Sequence, residues 1–121
     1  ELRRLKMRII KTLMRNRLLE NTKGKPMIVA SLSIAPLGKG TSVSTYVKTV
    51  IEILKKEHVT FQTNAMATVI QTDNLQTLFQ VIQKAHLAVA AAGAKRIITE
   101  IKIDDRRDKE ATIDSKLQSL Q

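Results

Sequence analysis

The stretch that most limits what this chain can fold into is Ile97–Lys109, IITEIKIDDRRDK. Ile97, Thr99, Ile101 and Ile103 alternate with Ile98, Glu100, Lys102 and Asp104. A period of two, rich in β-branched residues, reads as a strand with one dry face and one wet face. The strand then runs into the charged segment Asp104–Lys109. By itself this reads first as an edge strand guarded by charge, followed by a solvated ion-pair loop. The alternative use of the same groups is to hold a polar ligand or a partner at the strand end.

A second alternating run lies at the other end of the body. Ile28, Ala30, Leu32 and Ile34 make a dry face, while Val29, Ser31, Ser33 and Ala35 make a small, partly polar one. Pro36 and Gly38 end it. The loop from Gly38 to Ser44 then leads into a helix, with Thr41 or Ser42 as its cap and Val43, Tyr46, Val47, Val50, Ile53 and Leu54 as its buried stripe. A glycine-rich loop at a helix start can hold an anion. The spacing of Lys39 and Ser42 does not match a nucleoside-triphosphate loop, however, and a plain strand-to-helix turn accounts for it.

Val59–Gln62 and Met66–Gln71 read as two short strands joined at Asn64-Ala65. Asp73 is placed to cap the next helix, with Gln76 in the capping-box position. That helix has the stripe Leu75, Leu78, Phe79, Ile82, Ala85 and Val89, and Gly93 ends it. His86 sits at the edge of the stripe and reads as a boundary residue, not a catalytic base. A short last helix fits between Ala111 and Leu120, capped by Thr112, with Ile113, Leu117 and Leu120 on its apolar side.

Strand, helix, strand, strand, helix, strand and short helix is the order of an α+β, ferredoxin-like βαββαβ sandwich: four antiparallel strands with two helices on one face. The other sheet face, with Ser31, Ser33, Glu100 and Lys102 beside Val29 and Ile98, is left uncovered in a monomer and is expected to meet another subunit. Length fits one such domain. Aromatics are limited to Tyr46, Phe61 and Phe79, so the core must be aliphatic. The chain has no cysteine, which removes disulfides and thiolate metal sites. No apolar run is long enough to span a bilayer.

The net charge of +10 divides unevenly. Residues 1 to 25 carry nine Lys or Arg against two Glu, so the body beyond them is only mildly basic. A nucleic-acid reading would rest on that N-terminal segment and lacks aromatics on the open sheet to stack bases. Residues 1 to 20 form an amphipathic basic helix, with Leu2, Leu5, Ile9 and Leu13 at helical spacing, and Asn21–Pro26 break it. A membrane-surface or targeting helix, or one packed on the body or a partner, would both fit. The favoured expectation is that residues 1–26 are an extension outside the working protein and that 27–121 form the single domain. Two features favour it: Met27 stands where the first strand begins, and Lys23-Gly24-Lys25 implies purine-rich codons containing GG just before it, resembling a ribosome-binding site.

The segments IVASLSIAPLGKGTSVSTYV, MATVIQ, VIQKAHLAVAAAGAKRIITEIKIDDRRDK and TIDSKLQSL together resemble the small thiamine-binding protein family, over residues 27 to 120. The resemblance implies single ferredoxin-like domains that associate as dimers or tetramers and bind thiamine, or its hydroxymethylpyrimidine portion, without chemistry on it. It thus implies a cytoplasmic, vitamin-related binding protein that is not an enzyme and requires no cofactor or metal. Its partners would be itself and a small molecule, with no nucleic acid and no membrane. The alternative is a structural or regulatory oligomer without a ligand. Ser33, Thr41, Ser42, Ser44, Thr68 and Gln71 could meet the aminopyrimidine, with Asp104 or Glu100 near the thiazolium and Lys102 beside them. Two departures stand out: Ser31 replaces a common glutamate, and Ala67–Thr72, ATVIQT, replaces Gly-Thr-Val-Ile-Glu-Gly. Two missing carboxylates would weaken attraction for a cation by about 1 kcal/mol each if partly buried.

Overall fold

The alternating isoleucines and valines form strands and the 3.6-residue stripes form helices. The computed structural model describes residues 1–21, 27–38, 40 and 43–121, with only the backbone described over 13–21. The elements are α1 (Leu2–Asn21), β1 (Ile28–Pro36), α2 (Ser44–Lys56), β2 (Thr60–Thr63), β3 (Thr68–Thr72), α3 (Leu75–Ala91), β4 (Ile97–Asp105) and α4 (Ile113–Gln118). The sheet order is β2-β3-β1-β4 with every neighbouring pair antiparallel, which is the expected ferredoxin-like arrangement.

One sheet face packs on α2 and α3. Ile28, Ala30 and Leu32 of β1 and Ile70 of β3 meet Val50 and Leu54 of α2 and Leu78, Ile82, Ala85 and Val89 of α3 in a single cluster. Burying aliphatic side chains of this size stabilises by roughly 1.5–3 kcal/mol each. Glu57, just beyond α2, bonds Lys84 of α3 at 2.6 Å on the surface. Gly93 ends α3 as expected, at φ 110° with its N–H donating to Ala90 C=O.

Several expectations are corrected in detail. The cap of α3 is Asn74, whose Oδ1 accepts from Thr77 N–H at 2.7 Å; Asp73 instead accepts from the Asn74 side chain. The α3 stripe is rotated: Val81 is buried, whereas Leu75 and Phe79 are exposed. Val43 is the N-cap of α2 and is exposed, without a side-chain cap bond. Thr41 and Ser42, the expected caps, lie outside the described residues; of the expected breaker Asn21–Pro26, Asn21 is the last residue of α1 and 22–26 lie outside the described residues. The return strand β3 starts at Thr68, not Met66. Asn64 N–H donates to Ala67 C=O at 2.9 Å, which closes the β2–β3 turn over the residues between.

The open face is also less bare than expected. Thr112 and Ser115 form a capping box at the start of α4. Ile113 is buried, and its N–H donates to Gln71 Oε1 at 2.9 Å. Lys116 pairs with Asp104. These contacts fasten α4 over one end of that face, where Val29 is only 8% exposed. Leu117 and Leu120, expected on the apolar side of α4, are exposed. In α1, the described large apolar side chains, Leu2, Leu5, Met7, Ile9 and Ile10, are exposed as well. No helix among the described residues is long and apolar enough to cross a membrane.

Candidate functional site

Antiparallel register sorts the sequence-derived candidates onto two faces. Opposed residues share a face, so Gln71–Val29–Asp104, Val69–Ser31–Lys102 and Ser33–Glu100 are rows of the open side. Thr68 pairs with Leu32 and belongs to the helix side, where it is 7% exposed and lies 3.4 Å from the Thr63 hydroxyl. Ser44 is the first residue of α2. The structure therefore does not bring the described candidates into one site; Thr41 and Ser42 lie outside the described residues. Gln71, Glu100, Lys102 and Asp104 occupy the open face, while Thr68 and Ser44 lie on the helix side at the far end of β1.

The open-face group is largely committed to structure. Gln71 accepts from the α4 backbone, and Asp104 is held by Lys116. A groove of about 630 Å³ runs between β2, Gln71 and α4, with Glu110 and Asp114 on its rim. The Thr112 and Ser115 hydroxyls that line it are already engaged in the capping box. The charged loop is an ion-pair loop, as its run of charges leads one to expect. Arg107 bonds Asp105 at 3.0 Å and Arg106 bonds Asp108 at 2.7 Å. The hydrogen bond from Arg106 holds the Asp108 carboxyl below its usual range and in turn raises the guanidinium. Both groups stand in solvent, so little of this becomes stability.

The far end of β1 is built differently. β3 pairs with β1 only as far as Leu32↔Thr68, whereas β4 follows β1 on to Pro36↔Ile97. The sheet therefore splits beyond Leu32, and a slot of about 240 Å³ opens between Ile34 of β1, Val43, Val47 and Val50 at the α2 start, and Asn64 and Met66 of the turn. Ser33, Thr63 and Thr68 also reach it, and among the described residues no charged side chain lines it. Among the described residues, Ser33 and Thr68 are the candidates that line it. Sequence reasoning missed Ile34, Val47, Asn64 and Met66. The one signal for them was the turn, where Asn64-Ala65 lacks a tight-hairpin pair and a wider loop was open.

Two further chemistries find no support among the described residues. His86 Nδ1 lies 2.6 Å from Thr99 Oγ1, beneath α3, and among the described residues no carboxylate orients the ring. The pair reads as a satisfied boundary contact, as expected for His86. Among the described residues no group of His, Cys, Asp and Glu is placed to hold a metal.

Comparison with known proteins bears on the whole body. The UPF0045 protein MJ1052 of Methanocaldococcus jannaschii is 45% identical over 93 residues, spanning 77% of this chain and 91% of that protein. The Bacillus subtilis UPF0045 protein YqgV is 41% identical over 99 residues, 78% of this chain and 94% of its own. The crystal structure of MJ1052 superposes with a TM-score of 0.72, covering 78% of this chain and 95% of that one. A Thermotoga maritima protein proposed to act in thiamine biosynthesis or salvage superposes at 0.69 over 79% of this chain and 100% of its own. At 14% identity that likeness speaks for the fold alone. The model of the family described as thiamine-binding protein matches residues 30–121, and the chain belongs to that family.

Proposed function

We propose that the protein binds thiamine, or the hydroxymethylpyrimidine it contains, without transforming it, and does so as a homo-oligomer. The observation that carries the reading is the slot at the split of β1 and β3, in a chain of a thiamine-binding family. Its volume, about 240 Å³, is below the roughly 300–1,000 Å³ of sites for drug-sized ligands. It therefore suits one ring, not the whole of thiamine. Apolar walls with a few polar groups at the edge are what a flat heteroaromatic ring requires. A wall without charge among the described residues favours the neutral pyrimidine there over the thiazolium. Asp104 and Glu100, expected near the cation, lie on the other face.

Self-association follows from the part of the open face that α4 does not cover. Ser31, Ser33, Ala35 and Val69 are half-buried, and Ile98 is 44% exposed beside them. Glu100 and Lys102 on the neighbouring strand give a surface that can pair with its own copy. Isothermal calorimetry with thiamine and with hydroxymethylpyrimidine tests the ligand, and light scattering at micromolar concentration tests the assembly. Absence of heat with both compounds would overturn the binding function. A monomer would overturn the assembly. An oligomer that binds neither compound would be the purely structural alternative.

A further inference from the structure

We propose that the slot recognises its ligand through the main chain of Ile34. Its ligand class is then a neutral, planar heteroaromatic carrying a ring-nitrogen acceptor next to an exocyclic amine. This rests on the aminopyrimidine reading above and names the atoms that would carry it.

The argument is one of strand parity. Leu37 N–H donates to Arg96 C=O at 2.8 Å, one step beyond Pro36↔Ile97. Main-chain groups in antiparallel strands face alternate sides, so Ala35 and Ser33 address β4 while Ile34 and Leu32 turn the other way. The opposite strand gives the same answer. Asn64 N–H donates to Ala67 C=O, so residues 67, 69 and 71 address β2, and Thr68 and Ile70 address β1. Leu32 thus faces Thr68, and the next position on that edge is Ile34. Its partner in a longer sheet would be Met66. Met66 sits instead in the turn, 89% exposed, and the pairing stops at Leu32↔Thr68.

The Ile34 N–H and C=O therefore point into the slot with no strand opposite them among the described residues. A main-chain donor and acceptor side by side, partly withdrawn from water, call for partners. Pro36, the next residue on that edge, has no N–H, so Ile34 offers the last donor. An aminopyrimidine edge supplies the complement: its ring nitrogen accepts from the N–H and its amine donates to the C=O. Val47 and Val50 form one wall for the ring, and the flexible thioether of Met66 lies at the slot's rim to cover it.

Calorimetry on the full chain tests this with thiamine, hydroxymethylpyrimidine, oxythiamine and hydroxyethyl-methylthiazole. Oxythiamine carries an oxo group in place of the ring amine, so it reverses the donor and acceptor. The expected result is comparable affinity for the first two, at least about ten-fold weaker oxythiamine, and no binding of the thiazole. Ile34→Pro deletes the donor on an edge that already tolerates Pro36, and should weaken binding by roughly ten-fold or more, while Ile34→Val keeps it. Val47→Phe fills the slot and should abolish binding. If Ile34→Pro does not fold, the oxythiamine ratio and Val47→Phe decide the matter. Equal binding of oxythiamine and thiamine, or binding of the thiazole alone, overturns main-chain recognition. Thiamine binding untouched by Val47→Phe overturns the placement and leaves the function standing. No binding of thiamine or hydroxymethylpyrimidine takes the function down and this inference with it.

Discussion

The two halves of β1 show what a strand becomes with and without a second neighbour. From Ile28 to Leu32 it lies between β3 and β4, and Ile28, Val29, Ala30 and Leu32 are all buried. From Ser33 to Ala35 it has β4 alone, and each residue is only half-buried. The helices repeat the contrast. α3 begins beside the first half and is fastened by the Asn74 cap, while α2 begins beside the second and lacks a side-chain cap at Val43. The protein is closed at one end of β1 and open at the other, and the open end is where a ligand could be taken up without breaking sheet pairing.

The largest expected effect tests that closure directly. Leu32, 2% exposed, packs into the central cluster, and Leu32→Ala should cost about 2–5 kcal/mol. Ile34 only borders the cluster, and Ile34→Ala should cost about half as much as Leu32→Ala or less. At roughly 4 °C or more per kcal/mol, thermal melts will separate the two clearly. Similar losses at both positions would mean that the strand is packed evenly and that the slot is not the weak end.

The caps sharpen the comparison at a smaller scale. Asn74→Ala removes an acceptor from Thr77 N–H and should cost about 1 kcal/mol. Val43→Ala removes no cap bond and should leave the chemical-denaturation midpoint nearly unchanged. Equal shifts in the two midpoints would remove the distinction between a fastened and an unfastened helix start.

Most of this fold was legible because it is written in local periods. The alternation in Ile28–Ile34 and Ile97–Ile103 gave the central and edge strands, and Thr112 and Gly93 marked helix ends correctly; the dry face expected of β4 fails at Ile101 and Ile103, which are exposed. The errors arose where several residues could do one job. Asp73 and Asn74 are both competent caps, and the choice depends on where β3 stops; Thr72 is still in the strand, and its hydroxyl donates to Asn74 C=O. α3 carries apolar residues on most of its circumference, so periodicity could not choose Val81 over Phe79. The site was less legible for a stronger reason. The slot exists because β3 starts at Thr68 and not at Met66, a two-residue difference fixed by the Asn64–Ala67 turn bond. The groups proposed to recognise a ligand there are main-chain atoms of an isoleucine, which no search for polar side chains can find.

The smallest expected effect concerns Asp104, and it sets the limit of the comparison. Asp104 lies opposite Val29, in the closed half, and on the face away from the slot. Five residue steps of strand separate Val29 from Ile34, about 17 Å at 3.3–3.4 Å per step. Its carboxylate pairs with Lys116, and both side chains are about half exposed, 50% and 42%. Such a pair is worth under about 1 kcal/mol, so Asp104→Asn should loosen α4 slightly and lower the melting point by a few degrees at most. On the proposed site ligand affinity should not change, because Asp104 lies on the face away from the slot. Titrating wild type and mutant with thiamine and hydroxymethylpyrimidine decides the point. A ten-fold loss for thiamine alone would put the thiazolium on the open face, most simply through a second subunit that brings that face to the slot. An equal loss for both would place the pyrimidine itself beside Asp104, and the open end of β1 would no longer be the site.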